Sequence, residues 1–455
     1  MNYIREDENG QEVFENSTEF LRIPSTLYGF KNNNTEDITQ KNGRIEIRFC
    51  GELVLSDTSR KCECGCKMNI NTSHTISLKH LNFGGYPTSV QFPHKQLRCK
   101  KCGALKNQFI AFKSEDHMLT KPLYQYICDL LNTGTYTLKQ ISEQTGVGKN
   151  IVKAIDLKRL KDKYTENGEK LRKPDEQARY LSIDEFKLHN GHQYATHIIN
   201  LENGHILWIG HGKKKQVVYD FIEHVGLDWM KDVEAVACDM NSDFQEAFQE
   251  KCGHISIVYD YFHIVKNFNE KVVSEVRKDE QKRLADEGNI EAAKALKKTK
   301  YILTASRNTL QKKDKESSEN KVIRKESQLF KTPVVTRKSD YETKYDKLIS
   351  ENKLLFSVDL IKEKLSQAYK LTDEQSMINA VSEIISVCIE TENRHFIRFA
   401  KLLNSHFDGI VSHAVFKISS GKIEGINQKI KTIRRSGYGY PDDEYFFLKI
   451  MDSSY

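Results

Sequence analysis

The order of hydrophobic periodicities between residues 179 and 259 restricts the fold of this chain more than any other feature. The stretch from Arg179 to Lys187 (RYLSIDEFK) reads as a strand, that from Gln193 to Leu201 (QYATHIINL) as a second, and that from His205 to His211 (HILWIGH) as a third after a turn at Glu202-Asn203-Gly204. Connections this short make the three strands consecutive and antiparallel. Val217, Val218, Phe221, Ile222 and Val225 then recur at helical period from Lys214 to Val225, and the run VEAVAC from Val233 to Cys238 is short, continuous and apolar, the pattern of a buried strand. A helix from Ser242 to Lys251 and a strand from His254 to Tyr259 complete the order β-β-β-α-β-α-β. Two acids occupy special points in it: Asp184 in the middle of the first strand and Asp239 just beyond the end of the fourth.

That order predicts an α/β ribonuclease H-like domain built on a mixed sheet, in which the first and fourth strands are neighbours. Two carboxylates converging there repel each other unless cations lie between them, and the hard divalent ions Mg2+ or Mn2+ suit oxygen ligands. An Asp that ends a strand is also a common turn or capping residue, so the signal is the pair in this strand order rather than either acid alone. After Asp260-Tyr261-Phe262-His263 the chain reads as a helical insertion over about residues 270–416, because Pro333 is the only proline from Asp175 to Tyr440 and glycine is sparse. From Lys271 to Asp340 it carries 19 Lys/Arg against 11 Asp/Glu, a solvated face or a cradle for a DNA backbone. From Val381 to Leu403, apolar residues at helical spacing predict packing against the core. In GKIEGINQKIKTIRR, from Gly421 to Arg435, Ile423, Ile426, Ile430 and Ile433 form one stripe, which leaves Glu424, Gln428, Lys431 and Arg435 on another face. Glu424 can then point toward the two acids while Lys431, Arg434 and Arg435 meet DNA; the plainer alternative is a solvated glutamate. The Ser436-Gly-Tyr-Gly-Tyr440-Pro segment stops this helix.

The front half has a different character. Residues 1–44 are polar and without periodicity, the composition of a flexible leader. Five of ten cysteines (Cys62, Cys64, Cys66, Cys99 and Cys102) fall within 41 residues, and reduced intracellular thiols at such spacing favour metal over disulfides. Two knuckles flanking a hairpin-sized insert predict a zinc ribbon over residues 45–113. Cys99 and Cys102 form the second knuckle. In the irregular first knuckle, any two of Cys62, Cys64 and Cys66 can complete a Zn2+ site; Cys62 and Cys64 are taken as the pair. Residues 114–165 read as a helix-turn-helix: Leu138, Ile141, Val147, Val152 and Ile155 are suitably spaced, Gly146 lies in the turn, and Lys149, Asn150 and Lys153 face outward toward a major groove. A structural helical hairpin has a similar pattern. A charged linker over 166–178 then leads to the last domain, 179–455. The net charge of +7 and pI near 8.6 permit nucleic-acid binding without demanding it. No run of about 18 apolar residues and no basic-then-apolar leader is present, so the reading is a cytoplasmic protein without a membrane partner.

Three motifs carry a family resemblance: S-I-D-E-F around Asp184; A-C-D-M at Asp239 with V-Y-D-Y-F-H-I-V-K ending at Lys266; and I-E-G-I-N-Q-K-I-K-T-I-R-R-S-G-Y around Glu424. They resemble the DDE transposases of bacterial insertion sequences, in particular the ISL-three family, in which a zinc ribbon and a helix-turn-helix precede the catalytic domain in the same order. The resemblance implies Asp184, Asp239 and Glu424 as a catalytic triad binding Mg2+ or Mn2+, with Asp260 and His263 matching a family motif of less defined role. It also implies double-stranded DNA, as transposon ends and target, as the partner. The chemistry would be in-line phosphoryl transfer, by a homodimer or higher assembly that synapses two ends in a bacterial, nucleoid-associated setting. A catalytically inactive DNA-binding regulator and a ribonuclease H-like nuclease are the competing readings.

Overall fold

The computed structural model describes residues 27–40, 43–55, 59–317, 338–419, 421–437 and 439–453, with the backbone of two short antiparallel strand pairs, Ile4–Glu6 with Glu12–Phe14 and Lys321–Ile323 with Val334–Thr336. Contacts divide the chain into two compact units, Met1–Arg172 with Ile433–Ser453, and Lys173–Thr432.

The first unit begins with a sheet. Strands Met68–Phe83 and Tyr86–Cys99 form a long antiparallel hairpin, turned at Gly84 and Gly85, whose φ angles of 57° and 88° suit residues without a Cβ. Ile45–Leu53 pairs in parallel with Tyr86–Cys99 and antiparallel with Phe30–Thr39. Phe49, Leu53, Leu78, Val90, Phe92 and Phe112 are its buried core. The strand Phe30–Thr39 lies inside the stretch expected to be a flexible leader. Its sequence, FKNNNTEDIT, has almost no apolar alternation; apart from Phe30, which packs on Phe92 and Phe112, ladder hydrogen bonds to an apolar neighbour form it. The remainder of that expected leader, apart from the Ile4–Glu6 and Glu12–Phe14 pair, lies outside the described residues.

Three helices follow: Lys121–Asn132, Leu138–Thr145 and Lys149–Tyr164. Thr137 and Gln140 form a reciprocal capping box at the start of the second, and Gly146, at φ 67°, ends it. Leu123, Ile127, Leu131, Ile141, Val147, Val152 and Ile155 are buried together. The expected linker is partly ordered, since Thr165–Glu166 and Lys170–Leu171 pair as a small hairpin.

The last helix, Asp443–Asp452, belongs to this unit rather than to a continuous 179–455 domain. The cause is long-range pairing that no local pattern announces. Asp156 is fully buried, bonded by Arg159 at 2.8 Å, the Tyr445 hydroxyl at 2.7 Å and Lys449 at 3.1 Å; Arg159 also reaches Asp452 at 2.7 Å. Breaking a buried charge cluster from one side strands the partners, so Asp156→Ala is expected to cost about 3–5 kcal/mol. Thermal or urea unfolding reads this directly, and a loss under about 1 kcal/mol, typical of exposed pairs, would show that the cluster is hydrated and weak.

The second unit is built on a five-stranded sheet in the order Ile206–His211, Tyr194–Asn200, Tyr180–Lys187, Ala235–Cys238, Ser256–Tyr259. The first three strands are antiparallel and the last two run parallel to Tyr180–Lys187, as expected of a ribonuclease H-like mixed sheet. Leu181, Ile183, Ile198, Val236 and Cys238 bury one face against Val218, Phe221 and Ile222 of helix Lys215–Val225 and Phe244 and Phe248 of helix Ser242–Lys251. The described part of the insertion is helical from Ser274 to Glu316 and from Tyr341 to Phe416, with short interruptions. The apolar series from Val381 to Leu403 is buried, but on two helices, Glu374–Glu390 and Arg394–Ser405, parted where Glu392 turns to φ 52° and Asn393 caps the second. Among the described residues no helix is long and apolar enough to cross a membrane.

Candidate functional site

Strand Tyr180–Lys187 pairs in parallel with Ala235–Cys238 in the register Tyr180 to Ala235, Leu181 to Val236 and Ser182 to Ala237. Continuing that register by two residues sets Asp184 beside Asp239. Carboxylate oxygens of Asp184, Glu185 and Asp239 all lie within 4.8 Å of one another. Burial pushes the Asp184 carboxyl above its ordinary range; the Asn427 hydrogen bond opposes this and the nearby Asp239 adds to it. Glu185 is pushed up to about 7, by burial first and then by Asp239 and Asp184. Asp239 is also raised by burial, against the pull of His263, Lys266 and Lys213. His197, the cross-strand partner of Asp184, is fully buried and pushed down to about 4 by that burial, so it is neutral at pH 7 and offers the acids no compensating charge.

Two oxygens at this cluster are buried without a donor: Glu185 Oε2 and Asn427 Oδ1. Crowded carboxylates, raised affinities for protons and orphaned acceptor oxygens describe an all-oxygen donor set, which fits a hard divalent cation such as Mg2+ or Mn2+. Asp184, Glu185 and Asp239 are the side chains placed to hold it. Sequence reasoning passed over Glu185, because residues adjacent in a strand point to opposite faces; the only available signal was its place directly after Asp184.

Glu424 lies in the first turn of helix Gly421–Ser436, exposed, and outside the group of three converging carboxylates. The helix is nevertheless tied to the site, since Asn427, three residues further on, donates its Nδ2 to Asp184 Oδ2 at 2.6 Å. Ile423 and Ile430 are buried and Ile426 and Ile433 half-buried, the stripe expected. Lys431 and Arg435 are exposed, whereas Arg434 is half-buried with its guanidinium 5.2 Å from the Phe446 ring centre. Asp260 caps helix Tyr261–Phe268 and is buried, and His263 sits in that helix's first turn, close enough to favour ionisation of Asp184 and Asp239.

A second cluster lies in the first unit. Because Met68 is paired with Cys99 in the long hairpin, the two knuckles meet at its open end. Cys62 Sγ is 3.4 Å from Cys102 Sγ and Cys64 Sγ 3.5 Å from Cys99 Sγ, and all four sulfurs lie within 4.8 Å. A zinc tetrahedron with bonds of about 2.3 Å has edges of about 3.8 Å, so the set fits Zn2+ after a slight expansion. Cys66 is not in the group; it packs against Met68 and Leu97. The backbone N–H groups of Cys102 and Lys101 lower the Cys99 thiol to about 6, whereas Cys64 and Cys102, despite their own backbone hydrogen bonds, are raised by the crowding of thiols on one another.

Of the three residues expected on the outer face of helix Lys149–Tyr164, Lys149 and Asn150 are exposed at its start. Lys153 is half-exposed and already paired. It pairs with Asp442 at 3.0 Å and lies 5.1 Å from the Tyr445 ring centre, because the Asp443–Asp452 helix covers that side.

Comparison with known proteins agrees with this geometry. A family model described as transposase, for the ISL-three type of DDE protein, matches residues 181–450. The chain is also similar to the transposase for insertion sequence element IS1001 of Bordetella parapertussis, at 25% identity over 392 residues, covering 86% of this chain and 87% of that relative.

Proposed function

Because the chain belongs to the ISL-three family of DDE transposases, we propose that it binds the terminal inverted repeats of its own insertion sequence and cuts and joins DNA there by metal-dependent phosphoryl transfer. The observation that carries this reading is the convergence of Asp184 and Asp239 on adjacent parallel strands, with orphaned oxygens around them. Asp184 and Asp239 hold the divalent ions in this reading, Glu424 completes the set from the helix that Asn427 ties to Asp184, and Glu185 supplies a further carboxylate. Ions bound there would supply activation of the attacking hydroxyl and neutralisation of the leaving 3′ oxygen. The protein's own part is positional: two adjacent interior strands of the sheet fix two carboxylates, while Lys213, His263 and Lys266 soften their mutual repulsion.

End recognition is assigned to the front of the chain. Residues 45–113 act as a zinc ribbon with Cys62, Cys64, Cys99 and Cys102 as ligands, and the helices of residues 114–165 as a helix-turn-helix whose exposed Lys149 and Asn150 meet DNA. Lys431 and Arg435 are proposed backbone contacts of the catalytic portion, and Arg434, stacked on Phe446, a positioning contact. Synapsis of two ends calls for a homodimer or higher assembly, working in the bacterial cytoplasm on nucleoid DNA.

The test is a strand-transfer assay with purified full-length protein, Mn2+ and DNA bearing the element's ends. Cleavage followed by joining is expected. Binding without cleavage would assign a regulator instead, and cleavage without joining a nuclease.

A further inference from the structure

Asn427 occupies an unusual position on the helix that carries Glu424. Its Nδ2 donates to Asp184 Oδ2 at 2.6 Å, while the other Asp184 oxygen, Oδ1, accepts the backbone N–H of Glu185 at 2.8 Å. Asp184 is therefore oriented from both sides, with a lone pair left on each oxygen for a cation. The second half of the same amide, Asn427 Oδ1, is buried with no donor. An amide is the side chain suited to this place: it can donate to a carboxylate through one atom and offer an acceptor to an ion, or to a water in its shell, through the other.

The helix gives Asn427 little freedom. Ile423 and Ile430, four residues before and three after it, are buried. Near the helix start, Lys422 Nζ donates to the carbonyls of Leu201 at 2.6 Å and Glu202 at 2.8 Å. Glu424 and Asn427 are three residues apart, neighbours on one side of a helix. The hydrogen bond to Asp184 thus also sets how this helix, and Glu424 with it, lies against the sheet.

We propose that Asn427 is a positioning residue of the ion site, which orients Asp184 through Nδ2, completes the oxygen shell through Oδ1 and fixes the register of the Glu424 helix on the sheet. The inference rests on the ion-site reading above. Its test is Mn2+ titration of the full-length protein by calorimetry or electron paramagnetic resonance, without DNA, beside thermal unfolding in EDTA. Loss of an outer partner of a metal site weakens affinity by about 10–100-fold, so Asn427→Ala is expected to bind Mn2+ that much more weakly. Asn427→Asp places a fourth carboxylate on the cluster. It is expected to melt below wild type in EDTA and to gain more from saturating Mn2+ than wild type does, and it remains informative if the alanine variant does not fold.

An Asn427→Ala protein that binds Mn2+ like wild type, whatever its melting temperature, would reduce Asn427 to a helix anchor and overturn the inference. So would an Asn427→Asp protein whose gain from Mn2+ is no larger than that of wild type. Asp184→Asn serves as the control: if it binds Mn2+ as wild type does, the ion-site reading itself fails, whereas a dependence on Asp184 with indifference to Asn427 overturns only this inference.

Discussion

Asp184→Asn is expected to lower cleavage and joining of element ends by about 10³-fold or more while leaving binding to the ends intact. Stabilisation of transition-state charge by divalent ions amounts to several kcal/mol, and each 1.36 kcal/mol is about tenfold in rate. The substitution keeps the shape of the side chain and an oxygen for the Glu185 N–H, and a flip of the Asn427 amide, whose Oδ1 has no donor, lets it accept from the new Nδ2, so the sheet has no reason to rearrange. What it removes is one of three charges packed within 4.8 Å. Those charges repel in the metal-free protein, and burial beside Asp239 already holds the Asp184 carboxyl above its ordinary range. The same variant is therefore expected to melt higher than wild type in EDTA, the pairing of lost activity with gained stability that marks a strained functional site. Asp239→Asn should behave alike. Under the proposed triad Glu424→Gln should lose activity too, though without the gain in stability, since Glu424 is exposed and apart from the acid cluster. Normal strand transfer by any of the three would remove that residue from the triad; a lower melting temperature for Asp184→Asn in EDTA would mean that the cluster is not repulsive.

The sheet that carries these acids was legible because its strands are short, apolar and separated by clear turns, and because parallel register follows once the strand order is known. Asp184 and Asp239 could be paired from that alone. Glu185 could not, since strand alternation predicts that it faces away from Asp184, whereas the three carboxylates in fact converge near the strand's end. Strand Phe30–Thr39 escaped notice for a related reason. It is held by its neighbour's hydrogen bonds, and a polar sequence advertises nothing of the kind. The destination of helix Asp443–Asp452 was equally hidden. Its amphipathic character shows that one face is buried, but the partner, Asp156 with Arg159, lies almost 300 residues earlier, at a separation of 289 residues for the Tyr445 bond. That one contact explains why the end of the chain packs with the first unit and why Lys153 finds Asp442 as a partner. The irregular first knuckle shows the opposite case. Cysteine spacing left three pairings open, and only the tight turn, closed by the Cys62 N–H to the Cys66 carbonyl at 2.9 Å, brings Cys62 and Cys64 to the other knuckle and leaves Cys66 on the apolar floor.

Removing zinc is expected to have the largest effect on the folding of the first unit. Among the described residues, the apolar cluster at the knuckle end of the long hairpin is Met68, Leu97 and Cys99, with Leu55, Cys62 and Cys66 partly buried against it, too little apolar mass to hold two loops. Structural zinc in small sites contributes about 10–16 kcal/mol of apparent binding free energy at pH 7, far more than such a floor can supply. One zinc per chain is expected by elemental analysis, in addition to any ions at the acid cluster. Cys99→Ser should lose it, and amide exchange should then quicken at the Met68 and Cys99 ends of the hairpin while its middle, at the buried Leu78 and Val90 pair, stays protected. Cys64→Ser should behave like Cys99→Ser, and Cys66→Ser should keep its zinc. The reverse result for Cys64 and Cys66 would reassign the first knuckle, and purified protein without zinc would remove the ribbon assignment altogether. Acidification offers an independent check, because every ligand must be a thiolate: zinc affinity should fall as pH is lowered, and the hairpin end should open with it.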